Sequence, residues 1–451
     1  MKNDKNSFLL LALGIFSHTQ IYWFGAMGIS ELIVFLVAPF LFMKNYAILR
    51  REGFLTLIFL VWLSLAGCLI SIWINGTPFK DAIRGLMANY GLFAAIVVFH
   101  SLLRNNLMGV KWFLLGVAIS LVISTFVFQG ASELYKYGEG QVGVAASEGI
   151  INSPLFWTAR IGSFWILPCS GWYFSTPQFW NWFSMGAWGI VSIMISKGSG
   201  RSAALTMLAS GLLIFLCGKS QKKILSVSRH MGRLVLIGVI FIFVFTTVYR
   251  YTAASGILGE EAQQKYERQV KGAKSPLAVL MSGRSEFFVG IYACLRKPIF
   301  GYGPWPWDKE HLYEDWLNKY GTEEATEEYY KYLYDSLKRG WGERLHLIPS
   351  HSVIVQFWLW YGIAGLMLWM YVLYKFWRYI RYDMYAVPQC VGYIVGWLPM
   401  YVWNILFSPF GGRLEYGAFI SAILLCAAVN KGIVRLPNEM LAEIDWHNRK
   451  G

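Results

Sequence analysis

The apolar residues of this chain fall in long blocks, and that pattern fixes the solvent before it fixes the fold. Residues 54–74 carry no charge at all, and roughly 20 apolar residues are what a helix needs to cross a bilayer. About twelve segments read as spans by that length rule: 8–25, 28–43, 54–74, 85–103, 109–128, 161–176, 180–196, 202–218, 233–249, 352–374, 386–408 and 414–430. The first lacks a small-residue cleavage site and runs straight into the second, so it is expected to be a retained span. Charged residues make up 15% of the chain, against about 25% in soluble proteins. An ordinary soluble enzyme is therefore excluded, and the block pattern excludes disorder and a barrel of alternating strands. The expectation is an all-α polytopic membrane protein.

Orientation follows from the basic residues. Lys44, Arg50 and Arg51 follow the second span, Arg104 and Lys111 the fourth, and Lys219, Lys222, Lys223, Arg229 and Arg233 the eighth. Lys375, Arg378 and Arg381 follow the tenth, and Lys431 and Arg435 open the tail. These are alternate loops, which places them and both termini on the cytoplasmic face. The net charge of +14 is then topological and requires no nucleic acid. The plan divides into N-terminal spans (1–249), a large outer loop (250–350), C-terminal spans (351–430) and a cytoplasmic tail (431–451). A long loop rich in Trp and Tyr is expected to be ordered and functional. Within it, 326–339 reads as a helix, acidic at Glu327 and Glu328 and basic at Lys338 and Arg339, matching the helix dipole. Five of the six cysteines sit in apolar stretches and Cys294 lies in the loop, which gives no disulfide framework.

The positive-inside rule leaves some arginines unexplained on the outer face: Arg84, Arg160, Arg201, Arg284 and Arg413. Two share a tetrapeptide, Ser199-Gly200-Arg201-Ser202 and Ser282-Gly283-Arg284-Ser285, each before a helix-compatible run. Gly411-Gly412-Arg413 precedes the last span in the same way. A helix N-terminus is an unfavourable place for a cation, because its free amides already make that end positive. An anion held between guanidinium and amides reverses the sign, as in a phosphate cradle. The plainer reading is that each Arg snorkels to water.

Pro349-Ser350-His351-Ser352 lies where the large loop re-enters the membrane. His351 has the pKa range to exchange a proton with a hydroxyl or to hold a phosphate oxygen, although a lone His at a helix start is more often a cap. Glu286 is a candidate base, and a helix-dipole partner is the simpler role. Gly301-Tyr302-Gly303 reads as a turn that dips into the interface. Trp305, with Trp307, Trp316 and Trp341, is suited to stacking on sugar rings or to an interfacial belt. No P-loop, no D-x-D and no zinc spacing is present, so neither a bound metal nor another cofactor is implied.

Taken in order, these residues resemble the signature of the bacterial O-antigen ligase and polymerase superfamily. The match runs through Ser282 to Gly303, with its Arg-headed helix and P-x-F-G-x-G. It continues with His351, Gln356 and Gly362-Ile363-Ala364-Gly365. Arg201 matches the family's other outer-face Arg, and Arg160-Ile161-Gly162-Ser163-Phe164 is similar to its R-x-G-T-F segment. The resemblance implies a metal-independent, inverting glycosyltransferase of the C-type membrane fold in the bacterial inner membrane, working on the periplasmic face. Its donor is a glycan on undecaprenyl diphosphate and its acceptor lipid A-core. Arg201 and Arg284 clamp the diphosphate, with Arg160, Arg84, Arg413, Glu286, Tyr302 and Trp305 as further glycan or diphosphate contacts. His351 orients or deprotonates the acceptor hydroxyl or holds the phosphate. A polymerase of lipid-linked repeats shares the donor site and takes a second lipid-linked glycan as acceptor. A flippase or other transporter is the competing class. It calls for ionisable residues in mid-span, for which Glu31 is the main candidate.

Overall fold

The structure, a computed structural model, describes residues 2–18, 20–22, 26–126, 201–217, 221–256, 285–321, 347–384, 401–407 and 418–429, with a few isolated positions besides. These residues are overwhelmingly helical. Helix α1 (Lys2–Ile15) and a short 3-10 turn lead into a small antiparallel hairpin, β1 (Gln20–Tyr22) and β2 (Ala26–Gly28), which pairs Ile21 with Met27. The expected first span, 8–25, is therefore not one continuous helix. Its α-helix ends at Ile15, ahead of the 3-10 turn that holds the polar Ser17 and His18, and Ile21 and Tyr22 favour strand.

Three described helices are long and apolar enough to cross a membrane: α2 (Ile29–Arg51), α3 (Leu55–Asn75) and α4 (Phe79–Leu103). At about 1.5 Å per residue each exceeds the roughly 30 Å hydrocarbon core. Their faces differ in a way that locates the bundle. Leu36 and Phe40 on α2, and Phe59, Leu69 and Trp73 on α3, are exposed. On α4 every residue from Gly91 to His100 is buried, and the helix packs against α2, α3 and a later helix, α12 (Ile420–Val429). An apolar helix covered on all sides is a central helix. α2 opens on a local cap, in which the Gly28 N–H donates to Glu31 Oε2 at 2.9 Å. Glu31 thus serves the first turn of α2 and is not a charge in mid-span.

Lipid tails are as apolar as the side chains, so helices in a bilayer are held by close approach more than by burial. The crossing of α1 with α5 (Val110–Phe126) depends on this. A Cβ on Gly14 would strike the Phe113 carbonyl, and one on Gly116 would strike that of Leu11. Farther along are α6 (Arg201–Cys217) and α7 (Gln221–Ala254). α7 is 34 residues long and takes in most of the basic segment expected to be a loop before the ninth span. Lys and Arg are good helix formers, and no Gly or Pro intervenes before Gly232, so the helix continues past the apolar stretch.

Within the segment between residues 250 and 350, α8 (Ser285–Arg296) and α9 (Leu312–Tyr320) pack together. Asp308 caps α9 by accepting from the Leu312 and Tyr313 N–H groups at 2.7 and 2.9 Å. Val289, Trp316, Leu317 and Tyr329 form a small core of their own. Tyr292 locks the junction. Its hydroxyl donates to Asp315 Oδ2 at 2.6 Å, and Lys319 and Arg296 each lie 3.1 Å from the same carboxylate oxygen. The Tyr292 hydrogen bond first, then Lys319, hold the Asp315 carboxyl below its usual value. Residues 326–327 and 329–331 are helical, at the start of the expected 326–339 helix.

The expected span 352–374 is two helices, α10 (Val353–Tyr361) and α11 (Ile363–Arg378). Gly362 separates them at φ +66°, a left-handed backbone that a Cβ would strain, and that Cβ would also meet the Ile299 carbonyl. Beyond the bend Trp369 comes back onto Phe357, ring centroids 5.2 Å apart. A π-turn (Tyr379–Asp383) ends α11, and α12 (Ile420–Val429) returns to α4.

Candidate functional site

The site begins with how α8 meets the entry to α10. α8 lies against residues 349–355 so closely that a Cβ on Gly290 would stand 3.0 Å from the Pro349 carbonyl and 2.6 Å from Val355 Cγ1. Cys294, one turn on, points its thiol at the Val355 carbonyl, 3.7 Å away. Ser352 caps α10, accepting from the Val355 N–H at 3.3 Å and donating to the Ile405 carbonyl at 3.1 Å. These contacts fix the chain on both sides of His351.

They bring His351 onto Glu286, in the first turn of α8, with Nδ1 in direct contact with Glu286 Oε2. The side chains are 28% and 39% exposed, so the pair is anchored yet partly open to its surroundings. A carboxylate on Nδ1 selects the imidazole tautomer and turns Nε2 to the opposite edge of the ring, the arrangement of an oriented general base. Glu286, read from sequence as a base or a dipole partner, is placed directly against the His351 ring.

The second group of candidates meets at the other end of α10. Gly301, at φ +68°, bends the chain so that the Tyr302 N–H donates to the Leu359 carbonyl at 2.6 Å. Asn75 Nδ2 donates to the Gly301 carbonyl at 3.3 Å, and a Cβ on Gly303 would run into Thr77 Oγ1. The expected dip is therefore onto the turn between α3 and α4. Pro304 sits against Gly85, and the Tyr361 hydroxyl donates to the Gly85 carbonyl at 2.8 Å. Tyr302 lies under Lys297, whose Nζ is 4.3 Å from the ring centroid and 2.8 Å from Glu310 Oε1. Burial, reinforced by Glu310, pushes the Tyr302 phenol well up from its ordinary value. Trp305 packs on Trp360 with ring centroids 5.0 Å apart.

The arginines divide. Arg84 lies in the first turns of α4, its Nη1 3.6 Å from Asp81 Oδ1, so a carboxylate already shares its charge. Arg201 is the first residue of α6, the helix-start position read from the sequence. Arg284 immediately precedes α8, and it, Arg160 and Arg413 lie outside the described residues. The structure thus joins Glu286 to His351, sets the 301–304 backbone that carries Tyr302 against the α3–α4 turn and the start of α4, and packs Trp305 on α10.

A second His–carboxylate pair was not singled out from the sequence. His100 Nε2 lies 2.5 Å from Glu52 Oε2, with the His100 side chain fully buried and Phe54 edge-on to its ring at 4.7 Å. Its Nδ1 is buried without a hydrogen-bond partner. Neither residue belongs to a recognisable motif. The one signal available was a His near the end of an otherwise apolar block. No family model matches the chain, and neither does any curated protein or solved structure.

Proposed function

We propose that this protein is a metal-independent, inverting glycosyltransferase of the O-antigen ligase type. It moves a glycan from undecaprenyl diphosphate to a hydroxyl of lipid A-core on the periplasmic face of the bacterial inner membrane, within a plan of about twelve spans and one large outer loop. The observation that carries this reading is the His351–Glu286 pair at the mouth of the loop. The helix that presents Glu286 is headed by Ser282-Gly283-Arg284-Ser285.

The chemistry follows from those groups. The acceptor oxygen attacks the anomeric carbon, and its proton passes to Nε2 of His351 while Glu286 holds Nδ1 and stabilises the imidazolium that forms. The bond from the anomeric carbon to the diphosphate oxygen breaks, and the electron pair leaves with the diphosphate. Arg284 and Arg201, each at a helix start, neutralise the departing charge through bidentate hydrogen bonds. A lipid diphosphate is already a good leaving group, so positioning and charge neutralisation supply most of the catalysis. Gln356 sits one turn below Ser352, buried, on the helix that His351 leads into.

The test is reconstitution of the purified protein with a lipid-linked repeat, with and without lipid A-core, followed by product sizing. Transfer to core alone supports the ligase. Repeats that lengthen without core reassign the acceptor and make the protein a polymerase. Movement of the lipid across the bilayer with no new bond overturns the enzyme reading.

A further inference from the structure

A cavity of about 430 Å³ opens between α7 and the end of α11, lined by Arg229, His230, Gly232, Arg233, Trp377 and Arg381. Its arginines are among the basic residues that the positive-inside rule assigns to the cytoplasmic face, and the proposed glycan transfer does not use them. Its walls are tied together reciprocally. The buried Ser228 hydroxyl bonds the carbonyls of Ile380 and Arg381, the latter at 2.7 Å, and Arg381 Nη1 bonds the carbonyls of Ser228, at 3.1 Å, and Arg229. The cationic groups therefore stand on a braced junction. Neither α7 nor α11 holds an acidic residue, and Asp383 is the one such residue on the π-turn. Three guanidinium groups facing a shared space, with no acidic residue among the described residues that line it, favour an anion.

The surroundings indicate what carries that anion. Arg229 and Arg233 are one turn apart on α7, and the same stripe continues as Leu236, Ile237 and Ile240, all exposed. On α11, Met370, Tyr374 and Trp377 form an exposed stripe that ends at the cavity, with Arg381 one turn further on. Both helices present cations at the cavity and bare apolar side chains leading away from it. That is the complement of a lipid, with its headgroup phosphate in the basic pocket and its acyl chains along the two stripes.

We propose that this cavity binds the phosphate headgroup of an anionic glycerophospholipid from the surrounding leaflet. The proposal is independent of the glycosyltransferase reading. In the test, full-length protein is reconstituted in nanodiscs of phosphatidylcholine doped with phosphatidylglycerol or cardiolipin, released into detergent, and its retained lipids are counted by native mass spectrometry. Anionic lipid should be retained in stoichiometric amount by the wild type and depleted about thirtyfold in the R229Q/R233Q variant, as removal of two interfacial cations implies. The exposed pair Arg50 and Arg51 at the end of α2 supplies the control, because R50Q/R51Q removes equal charge away from the cavity. Equal depletion in that control means diffuse attraction and overturns the site. Displacement of the lipid by millimolar inorganic phosphate makes this a free-anion site and overturns the lipid assignment, as does retention of phosphatidylcholine at the same level. Size-exclusion profile and melting temperature confirm that each variant is folded.

Discussion

Two of the His–Glu pairs among the described residues join distant parts of the chain, and they do so in opposite environments. His100 and Glu52 meet within the bundle with the imidazole fully covered, whereas His351 and Glu286 meet where α8 adjoins the start of α10, with both side chains partly exposed. The ring edge used also differs. Glu52 takes Nε2 of His100 and leaves Nδ1 sealed in the interior, while Glu286 takes Nδ1 of His351. A buried pair is a fastening, since removing one partner strands the other away from water. A partly open pair held by backbone contacts on both sides can meet a substrate. Environment, not residue type, distinguishes the two pairs.

The comparison can be broken by mutation. The largest effect is expected from His351→Ala, which should lower glycan transfer by about 10²- to 10⁴-fold, the usual contribution of a general base, with an unchanged melting temperature. His100→Ala should lower stability and leave the turnover of each folded molecule intact. If the two variants lose turnover equally, the assignment of roles is wrong. Next comes Glu286→Gln, which keeps the shape and removes the charge on Nδ1. It should cost about ten- to a hundredfold in transfer, as for other groups that orient a catalytic partner, and should shift the pH–rate profile.

Glu52→Ala should destabilise the protein by about 1–3 kcal/mol by leaving His100 Nε2 buried and unpaired. Thermal unfolding in detergent checks this, with glycan transfer per folded molecule as the counter-measurement. The smallest effect belongs to Asp315→Asn at the α8–α9 junction behind Glu286. A carboxyl whose folded pKa is depressed contributes stability that is present above its unfolded value and is lost as pH falls through the folded one. The wild type should therefore exceed Asp315→Asn in melting temperature by a constant small margin at neutral pH, and the margin should vanish as the solution is acidified below the ordinary Asp range. A margin independent of pH would remove the charge from the account.

The candidate residues were legible to different depths. His351 stood out because a His between two Ser at the start of an apolar run marks a helix start, and Ser352 does cap α10. Gly362 was legible as a turn within the Gly-Ile-Ala-Gly sequence, yet the span was read straight through it, because hydropathy does not register backbone sign. Glu31 looked like a charge inside a span because the preceding strand residues are as apolar as the helix. The pairing of Glu286 with His351 left no trace in the sequence, since the two lie on elements separated by α9 and the loop around it.

Composition and block length alone decided that this chain is helical and lives in apolar surroundings. Those properties are summed over about 20 residues at a time and survive any rearrangement of neighbours. The tertiary structure alone decided which acid faces which histidine and which basic residues share a cavity. Such contacts depend on how closely two helices approach, and that distance is set by single glycines, caps and carbonyls whose partners lie far along the chain.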